Sequence, residues 1–300
     1  MNYSGKRLVV LGAGYIGAEV ARQGMARGLH VTALTRNRDQ ANALAAIGVD
    51  PVVADLADAN WHRRIPDGVD FVLNSVSAGG GRIEGYRHSH IQGMRSILAW
   101  SAQTKLAGTI VYTSSTSVYA QGGGTQVDET APAGGGSATA DALVETENLL
   151  RAASGTAAGQ RAFILRLAGI YGPGRHHLLD QMQQGLAELP GHGHHRLNLI
   201  HRDDICAAIW AAFATTPKGM GGVFNVADDG AATKAEVIAW LAARLGTPLP
   251  CFTGKAATDS RRAVTPDRVI VNDLIKRTLG WQPVYPTFRE GYAAILAECK

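Results

Sequence analysis

Three glycines near the start of the chain have the spacing G-x-G-x-x-G, which runs from Gly12 through Gly14 to Gly17. The motif follows a short apolar run and opens an alanine-rich segment, the context in which this spacing binds phosphates. Gly12 permits a tight turn, Gly14 lets a pyrophosphate approach the backbone, and Gly17 lets a helix pack closely on a strand. Tyr15 and Ile16 lie at the helix start, where free amide groups face the phosphates. The motif predicts a dinucleotide site at these five residues; a glycine-rich turn without a ligand is the alternative.

The residues that end the second predicted strand indicate which dinucleotide binds. A carboxylate at this place hydrogen-bonds the ribose 2′-hydroxyl of NAD, whereas an arginine accommodates the 2′-phosphate of NADP. This chain has Arg36 and Arg38 there, and its first acidic residue is Asp39. The guanidinium of Arg36 can bind a 2′-phosphate through charge-assisted hydrogen bonds. We therefore expect NADP(H) to be preferred over NAD(H), the alternative being that both arginines are solvated loop charges.

Two further strand ends bring polar residues to the same edge of the predicted sheet. Asp55 and Leu56 follow the third strand, and Ser75 and Ser77 follow the fourth. Ligands of open α/β sheets bind outside the carboxyl ends of the strands, so we expect all four residues to contact the cofactor. Asp55 and Leu56 would lie along the adenine. A helix cap is the alternative for Asp55.

The elements that must position these residues alternate along the chain. The predicted strands are residues 7–11, 30–35, 51–54, 69–74, 109–114, 162–167 and 223–226. One predicted helix follows the glycine motif and ends near residue 27. The others cover residues 39–47, 91–103, 140–153, 203–214 and 234–245. Continuously apolar strands separated by helices are typical of a parallel sheet covered on both faces. The fold class predicted is therefore α/β, with a Rossmann-type doubly wound parallel sheet.

Composition limits the partners of the protein. The 300 residues carry a formal charge of +4, and their basic residues are scattered, so no nucleic-acid partner is expected. No apolar run approaches the ~20 residues of a membrane helix, and the N-terminus lacks a signal-peptide pattern. Cys206, Cys251 and Cys299 are far apart and support neither a disulfide framework nor a thiolate zinc site. We expect a cytoplasmic protein without a metal or a membrane partner.

Five further segments resemble the motifs of one enzyme family. They are residues 112–119 (YTSSTSVY), 128–132 (DETAP), 166–175 (RLAGIYGPGR), 200–205 (IHRDDI) and 224–226 (FNV). Together with the glycine motif, they make nearly the whole chain similar to the extended short-chain dehydrogenase/reductases, the NAD-dependent epimerase/dehydratase family. The resemblance implies a Rossmann domain of residues 1–170, to which residues 201–228 return. Residues 171–200 and 229–300 would then form a small C-terminal substrate lobe.

The resemblance is incomplete at the catalytic residues. In that family a serine or threonine on the fifth strand binds the substrate oxygen, a tyrosine on the next helix shuttles a proton, and a lysine four residues later binds the ribose. Ser115, four residues before Tyr119, matches the serine, with a strand-end serine bound to backbone as the alternative. Aligning Glu147 with the glutamate that follows the motif puts Thr139 at the tyrosine and Leu143 at the lysine. No tyrosine in the chain is followed by a lysine four residues later. A threonine is a far weaker acid than such a phenol, so the resemblance is to the atypical members of the superfamily.

Other side chains are candidates for the missing roles. Tyr119 lies in the strand-five motif and is otherwise a packing residue. His201 carries a proton near neutral pH or is a structural histidine. Arg175 binds an anionic substrate group or lies on the surface. A histidine cluster matches no familiar metal site, and a solvated loop is expected there: His176, His177, His192, His194 and His195.

Two functions fit these observations. The first is an NADP(H)-dependent oxidoreductase or epimerase/dehydratase-type enzyme acting on a small carbonyl or sugar-nucleotide-like substrate. Ser115 would polarise the carbonyl, and the proton donor would be non-standard, with Thr139 and Tyr119 as candidates. The second is a non-enzymatic NADP(H) sensor, which the residues Thr139 and Leu143 support. The resemblance also allows a homodimer, because relatives often dimerise through helices on one face of the sheet.

Overall fold

The computed structural model describes residues 2–79, 82–104, 106, 108–154, 161–215, 221–255 and 266–298. Contacts within the chain divide it into two compact units. The first unit comprises Met1–Val118, Ala133–Arg166 and Ala208–Phe224. The second unit comprises Tyr119–Pro132, Leu167–Ala207 and Asn225–Lys300. Cys299 lies outside the described residues.

Strands and helices alternate through most of the chain. The strands are β1 (Arg7–Leu11), β2 (His30–Thr35), β3 (Asp50–Val53), β4 (Phe71–Asn74), β5 (Thr109–Ser115), β6 (Thr125–Val127), β7 (Arg161–Leu167), β8 (Gly169–Tyr171), β9 (Glu188–Leu189), β10 (Leu199–His201), β11 (Gly222–Val226), β12 (Cys251–Phe252) and β13 (Arg268–Ile270). The helices are α1 (Tyr15–Ala26), α2 (Arg38–Ala46), α3 (Ile83–Tyr86), α4 (Gly93–Gln103), α5 (Ala138–Ala153), α6 (His177–Gln183), α7 (Arg202–Ala214), α8 (Lys234–Leu245), α9 (Asp273–Leu279) and α10 (Phe288–Glu298). A π-helical turn, Arg87–Gln92, joins α3 to α4.

A seven-stranded sheet forms the centre of the first unit. Its strand order is β11-β7-β5-β4-β1-β2-β3, and β1 pairs in parallel with β2 on one side and β4 on the other. The strand order therefore reverses beside β1, which is the place where open α/β sheets bind their ligands. This topology confirms the predicted α/β fold class with its Rossmann-type sheet.

The core of the first unit explains why its strands are continuously apolar. Val9 and Leu11 of β1, Val72 of β4 and Ile110 of β5 are all buried in one cluster. Helix α4 packs its own buried residues onto the same cluster. Because helices cover the sheet, each strand buries consecutive residues and alternation is lost.

The second unit has its own core. Tyr171 of β8, the buried face of α8 and Phe288 of α10 form one hydrophobic cluster. Short parallel pairs surround it: β8 with β10, β9 with β12, and β6 with β13. Between residues 171 and 196 the sequence predicts no regular element, yet α6 and β9 lie there.

Candidate functional site

The glycine motif has a different environment at each of its three glycines. Gly12 has a φ of 91°, and a Cβ there would lie 2.7 Å from the backbone nitrogen of Val76. A Cβ on Gly17 would collide with the carbonyl oxygen of Gly12. At Gly14, by contrast, no atom of the described residues lies within 4 Å of such a Cβ. The loop is therefore packed tightly against β4 on one side and open at Gly14, where a pyrophosphate would approach.

Helix α1 begins at this open point. No side chain among the described residues caps its start at Gly14, and its first turn contains no acidic residue. The first-turn amides of a helix have no partner inside the helix and carry a partial positive charge. Tyr15 and Ile16 are the first two residues of this turn, Ile16 being buried. The geometry fits the phosphates of a dinucleotide.

Arg36 and Asp55 meet beyond the ends of β2 and β3. Arg36 has a side chain that is 56% exposed, and its Nη1 lies 3.7 Å from Oδ2 of Asp55. Gly79 lies against the same guanidinium, because a Cβ there would be 2.9 Å from Arg36 Nη2. Burial alone would raise the pKa of Asp55, but the amide of Ala57, then His88 and Arg36, lower it. The carboxylate is thus ionised and has cationic neighbours.

Asp55 also has a local role. Its Oδ1 accepts the amide N–H of Ala57 at 2.9 Å, which is the interaction of a cap. Leu56 is buried in the core, where its side chain packs on Gly93. Leu56 therefore contributes its backbone position rather than an exposed side chain to this edge.

The two serines after β4 differ. Ser75 donates its hydroxyl to the carbonyl oxygen of Gly12 at 2.9 Å, so it holds the glycine loop. Ser77 is exposed. Asn74, the last residue of β4, is fully buried, and its Nδ2 has no hydrogen-bond partner among the described residues.

Ser115 is the last residue of β5. Its Oγ accepts the amide N–H of Ser117 at 3.1 Å, and the residue is half-buried. An oxygen that accepts one hydrogen bond still carries its own O–H to donate. Ser115 is therefore both a strand-end serine, as in the structural alternative, and a possible donor to a substrate oxygen.

The start of α5 carries Thr139 and Leu143, which the motif alignment predicts at the tyrosine and lysine positions. Ser137 caps this helix by accepting the amide of Ala140, and Thr139 Oγ1 lies 3.1 Å from Ser137 Oγ. Leu143, one turn further, is only 2% exposed. A buried leucine at the lysine position offers neither a cation nor a hydrogen bond.

A buried charge network centred on Glu147 fixes helix α5. From the sequence alone, Glu147 served only to align the helix with the family motif. Glu147 is 1% exposed and accepts hydrogen bonds from Arg166 Nη2 at 2.6 Å and from Ser114 Oγ at 2.6 Å. Arg166 lies on β7 and Ser114 on β5. The network ties α5 to the two strands that it covers.

A buried tyrosine–histidine pair lies on the same unit and was not predicted. Tyr112 Oη is 3.0 Å from His90 Nδ1, and both residues are buried. Burial lowers the pKa of His90 to about 4 and raises the pKa of Tyr112 far above its usual range. Both groups are therefore neutral near pH 7.

In the second unit, Tyr119 is buried and donates its hydroxyl to Asn225 Oδ1 at 2.8 Å. Asn225 in turn donates its backbone N–H to Oε1 of Glu129 at 2.7 Å. These contacts connect the DETAP segment with the FNV segment, and the sequence alone did not predict that the two segments are in contact. A hydroxyl engaged in this way favours the packing role for Tyr119.

His201 is also buried in the second unit. Its Nδ1 accepts the amide N–H of Asp203 at 3.3 Å, whereas its Nε2 has no hydrogen-bond partner among the described residues. Burial lowers the pKa of His201 to about 4. Its ring packs against that of Tyr285 in a tilted arrangement, with 4.1 Å between the ring centroids and 51° between the planes. Arg175 is exposed on the turn after β8.

The described residues offer neither a clustered metal-ligand set nor a membrane-spanning helix. No three His, Cys, Asp or Glu side chains in the described part of the chain are grouped so as to hold a metal ion. Within the same residues, no helix is both long and apolar enough to cross a membrane.

Comparison with known proteins identifies the family. The model of the NAD dependent epimerase/dehydratase family matches residues 8–227. The chain belongs to this family. It is an atypical member, because no tyrosine in its sequence is followed by a lysine four residues later. The resemblance stated from the sequence motifs is thereby confirmed.

Similar proteins span nearly the full chain. Protein YeeZ of Escherichia coli K12 is 27% identical over 286 residues, which covers 94% of this chain and 97% of YeeZ. The 3-diazoavenalumate denitrifying reductase of a Streptomyces species is 29% identical over 322 residues, covering 95% of this chain and 98% of the reductase. The structure of UDP-glucuronic acid 4-epimerase from Bacillus cereus, in complex with UDP-glucuronic acid and NAD, matches with a TM-score of 0.82 and 18% identity. That match covers 98% of this chain and 100% of the epimerase and shows a common fold.

Proposed function

We propose that this protein binds NADP(H) in preference to NAD(H). The observation that carries the proposal is Arg36, an exposed guanidinium just beyond the end of β2, where a carboxylate would select NAD. The open backbone at Gly14 and the uncapped start of α1 support a bound pyrophosphate on the same strand edge. Asp55 and the exposed Ser77 follow the neighbouring strands, where the adenosine and the rest of the cofactor would lie.

We further propose an oxidoreductase or epimerase/dehydratase-type reaction on a small carbonyl or sugar-nucleotide-like substrate. When bound, the cofactor supplies or accepts a hydride. Ser115 retains an O–H that can donate to the substrate oxygen and so stabilise the charge that develops there. A full-length relative that is a reductase by name supports this class of reaction.

The proton donor in this proposal is not the usual tyrosine. Thr139 is hydrogen-bonded to the helix-capping Ser137, and its hydroxyl has too high a pKa to act as an efficient acid near pH 7. Leu143 supplies no charge to lower that pKa. The proton therefore reaches the product from water or from another donor in the substrate region, for which His201 is the sequence-based candidate, while Arg175 is the candidate for binding an anionic substrate group.

A second function, a non-enzymatic NADP(H) sensor, is favoured by one observation. Leu143 is only 2% exposed, so a buried leucine fills the position where the motif alignment places the catalytic lysine. A sensor would bind the reduced and oxidised cofactors with different affinities and would turn over no substrate. An enzyme binds both forms and oxidises NADPH when a substrate is present.

The test combines binding with turnover. Calorimetric titration with NADPH, NADP, NADH and NAD should give tight binding of the two phosphorylated forms only. A panel of carbonyl compounds and nucleotide sugars, followed by NADPH absorbance, should then yield turnover that the Ser115→Ala variant loses. Binding without turnover on any member, together with a large NADPH–NADP difference, would favour the sensor. Failure of all four dinucleotides to bind would overturn the proposed function.

A further inference from the structure

Asp55 has a second basic neighbour, which the sequence motifs do not predict. His88 lies on the π-helical turn Arg87–Gln92, and its Nε2 is 3.0 Å from Oδ1 of Asp55. The other carboxylate oxygen, Oδ2, is 3.7 Å from Arg36 Nη1. The carboxylate is therefore shared between a guanidinium that follows β2 and an imidazole that precedes α4.

The hydrogen bonds of His88 fit its charged form. Its Nδ1 lies 2.9 Å from Oε1 of Gln92, and its Nε2 faces the Asp55 carboxylate. With the Gln92 amide in this orientation, both oxygens accept hydrogen bonds from the ring nitrogens. Two N–H donors are the pattern of the imidazolium, and the facing Asp55 carboxylate raises the pKa of His88.

Charge neutralisation at Asp55 has a consequence for the cofactor. A 2′-phosphate that binds Arg36 brings up to two negative charges close to the Asp55 carboxylate. Unopposed, that carboxylate repels the phosphate and competes with it for Arg36. Protonated His88 cancels the carboxylate charge, which leaves the guanidinium of Arg36 to the phosphate.

We propose that His88 is a specificity-determining residue for the cofactor: as an imidazolium bound to Asp55, it permits Arg36 to select the 2′-phosphate. The inference rests on the proposed preference for NADP(H). In water-like surroundings, one unit charge about 7 Å from a dianion changes binding by roughly 5- to 10-fold. That factor is the expected contribution of the His88 charge to NADPH affinity.

The sign of the pH dependence follows from the groups around the ring. The hydrogen bond with Asp55 is the main cause that raises the pKa of His88, while burial and Arg36 oppose it and Gln92 adds to it. The protonated form therefore persists to a higher pH than in an isolated histidine. As the pH rises through this raised pKa, the histidine contribution to NADPH binding is lost. NADH, which has no 2′-phosphate, should not respond.

The experiment measures the ratio of the Kd values for NADH and NADPH at pH 6.5 and pH 8.5. The variants are His88→Gln, which keeps a hydrogen-bond donor and removes the charge, and the control His62→Gln. His62 Nε2 lies 2.9 Å from Ser96 Oγ, and among the described residues the groups that act on Asp55 are Ala57, His88 and Arg36, so replacing His62 should leave the ratio unchanged. His88→Gln should lower the ratio roughly 5- to 10-fold at pH 6.5 and by less at pH 8.5, where a smaller fraction of the histidine is protonated.

The 2′-phosphate itself also changes its charge between the two pH values. This change affects wild type and variant alike, so comparing the two proteins at the same pH removes it from the result. In an Asp55→Asn background, which removes the main cause of the raised pKa of His88, the His88→Gln change should lower the ratio by less than it does in the Asp55 protein. An equal loss of NADH and NADPH affinity, or an unchanged ratio at pH 6.5, would overturn this inference. If wild type itself shows no NADPH preference, the proposed function fails as well, so the two failures are distinguishable.

Discussion

Replacing Glu147 by glutamine should severely destabilise the first unit, because it removes the carboxylate that fixes α5. The glutamine keeps the shape of the side chain, but the buried Arg166 loses the negative charge that two of its guanidinium nitrogens contact. Breaking a buried ion pair by removing one partner costs about 3–5 kcal/mol. This is a large share of the 5–15 kcal/mol, roughly, that stabilises a typical domain.

Urea unfolding of wild type and variant checks this prediction. With a slope of about 2 kcal/mol per molar urea, the midpoint should fall by roughly 1.5 M or more. Glu145→Gln is the matched control, since Glu145 lies on the same helix and pairs with Arg95 at 3.1 Å through side chains 49% and 62% exposed. An exposed pair contributes about 0.2–1 kcal/mol, so the control should shift little. Similar midpoints for the two variants would refute the reasoning from burial.

Two further predictions concern buried polar groups. Tyr119→Phe removes the hydroxyl bound to Asn225 and should lower the free energy of unfolding by about 1–3 kcal/mol, measured in urea; loss of turnover at unchanged stability would instead assign Tyr119 to catalysis. His90 is neutral in the folded protein because burial lowers its pKa to about 4, against 6.5 for the exposed group. Stability from this group is present above pH 6.5 and is lost as the pH falls towards 4, by about 2 kcal/mol between pH 7 and pH 5. His90→Asn should remove that part of the pH dependence, and an unchanged pH profile of unfolding would contradict it.

The sequence predicted the sheet well where the physical signal is long and local. Strand β1 begins and ends as predicted, at Arg7 and Leu11, and β2 does so too, because both are apolar runs bounded by polar or glycine residues. Helix α8 likewise has its predicted limits, with Thr233 as its cap and Gly246 at its end. Caps and apolar runs are written in adjacent residues, so they can be recognised without tertiary contacts.

The missed elements depend on distant partners. Strands β6 and β13 are three residues each and pair across more than a hundred positions, too short for a period to be visible. The π-helical turn before α4 adds one residue to a helical turn, and the spacing of apolar residues in the sequence does not indicate this insertion. His88 meets Asp55 only because this turn faces the end of β3, so its role required the structure. The glycine motif and Arg36, by contrast, lie in one continuous stretch and could be assigned from the sequence.

The most direct test of the cofactor assignment is the ratio of NADH to NADPH dissociation constants in wild type, Arg36→Ala and Arg38→Ala. Arg38 is the matched control, an exposed arginine two residues away at the start of α2. Wild type and Arg38→Ala should prefer NADPH, and Arg36→Ala should lose roughly 10- to 100-fold of that preference, the worth of a charge-assisted contact. Equal ratios in all three proteins would contradict the assignment of Arg36 and, with it, the proposed selection of NADP(H).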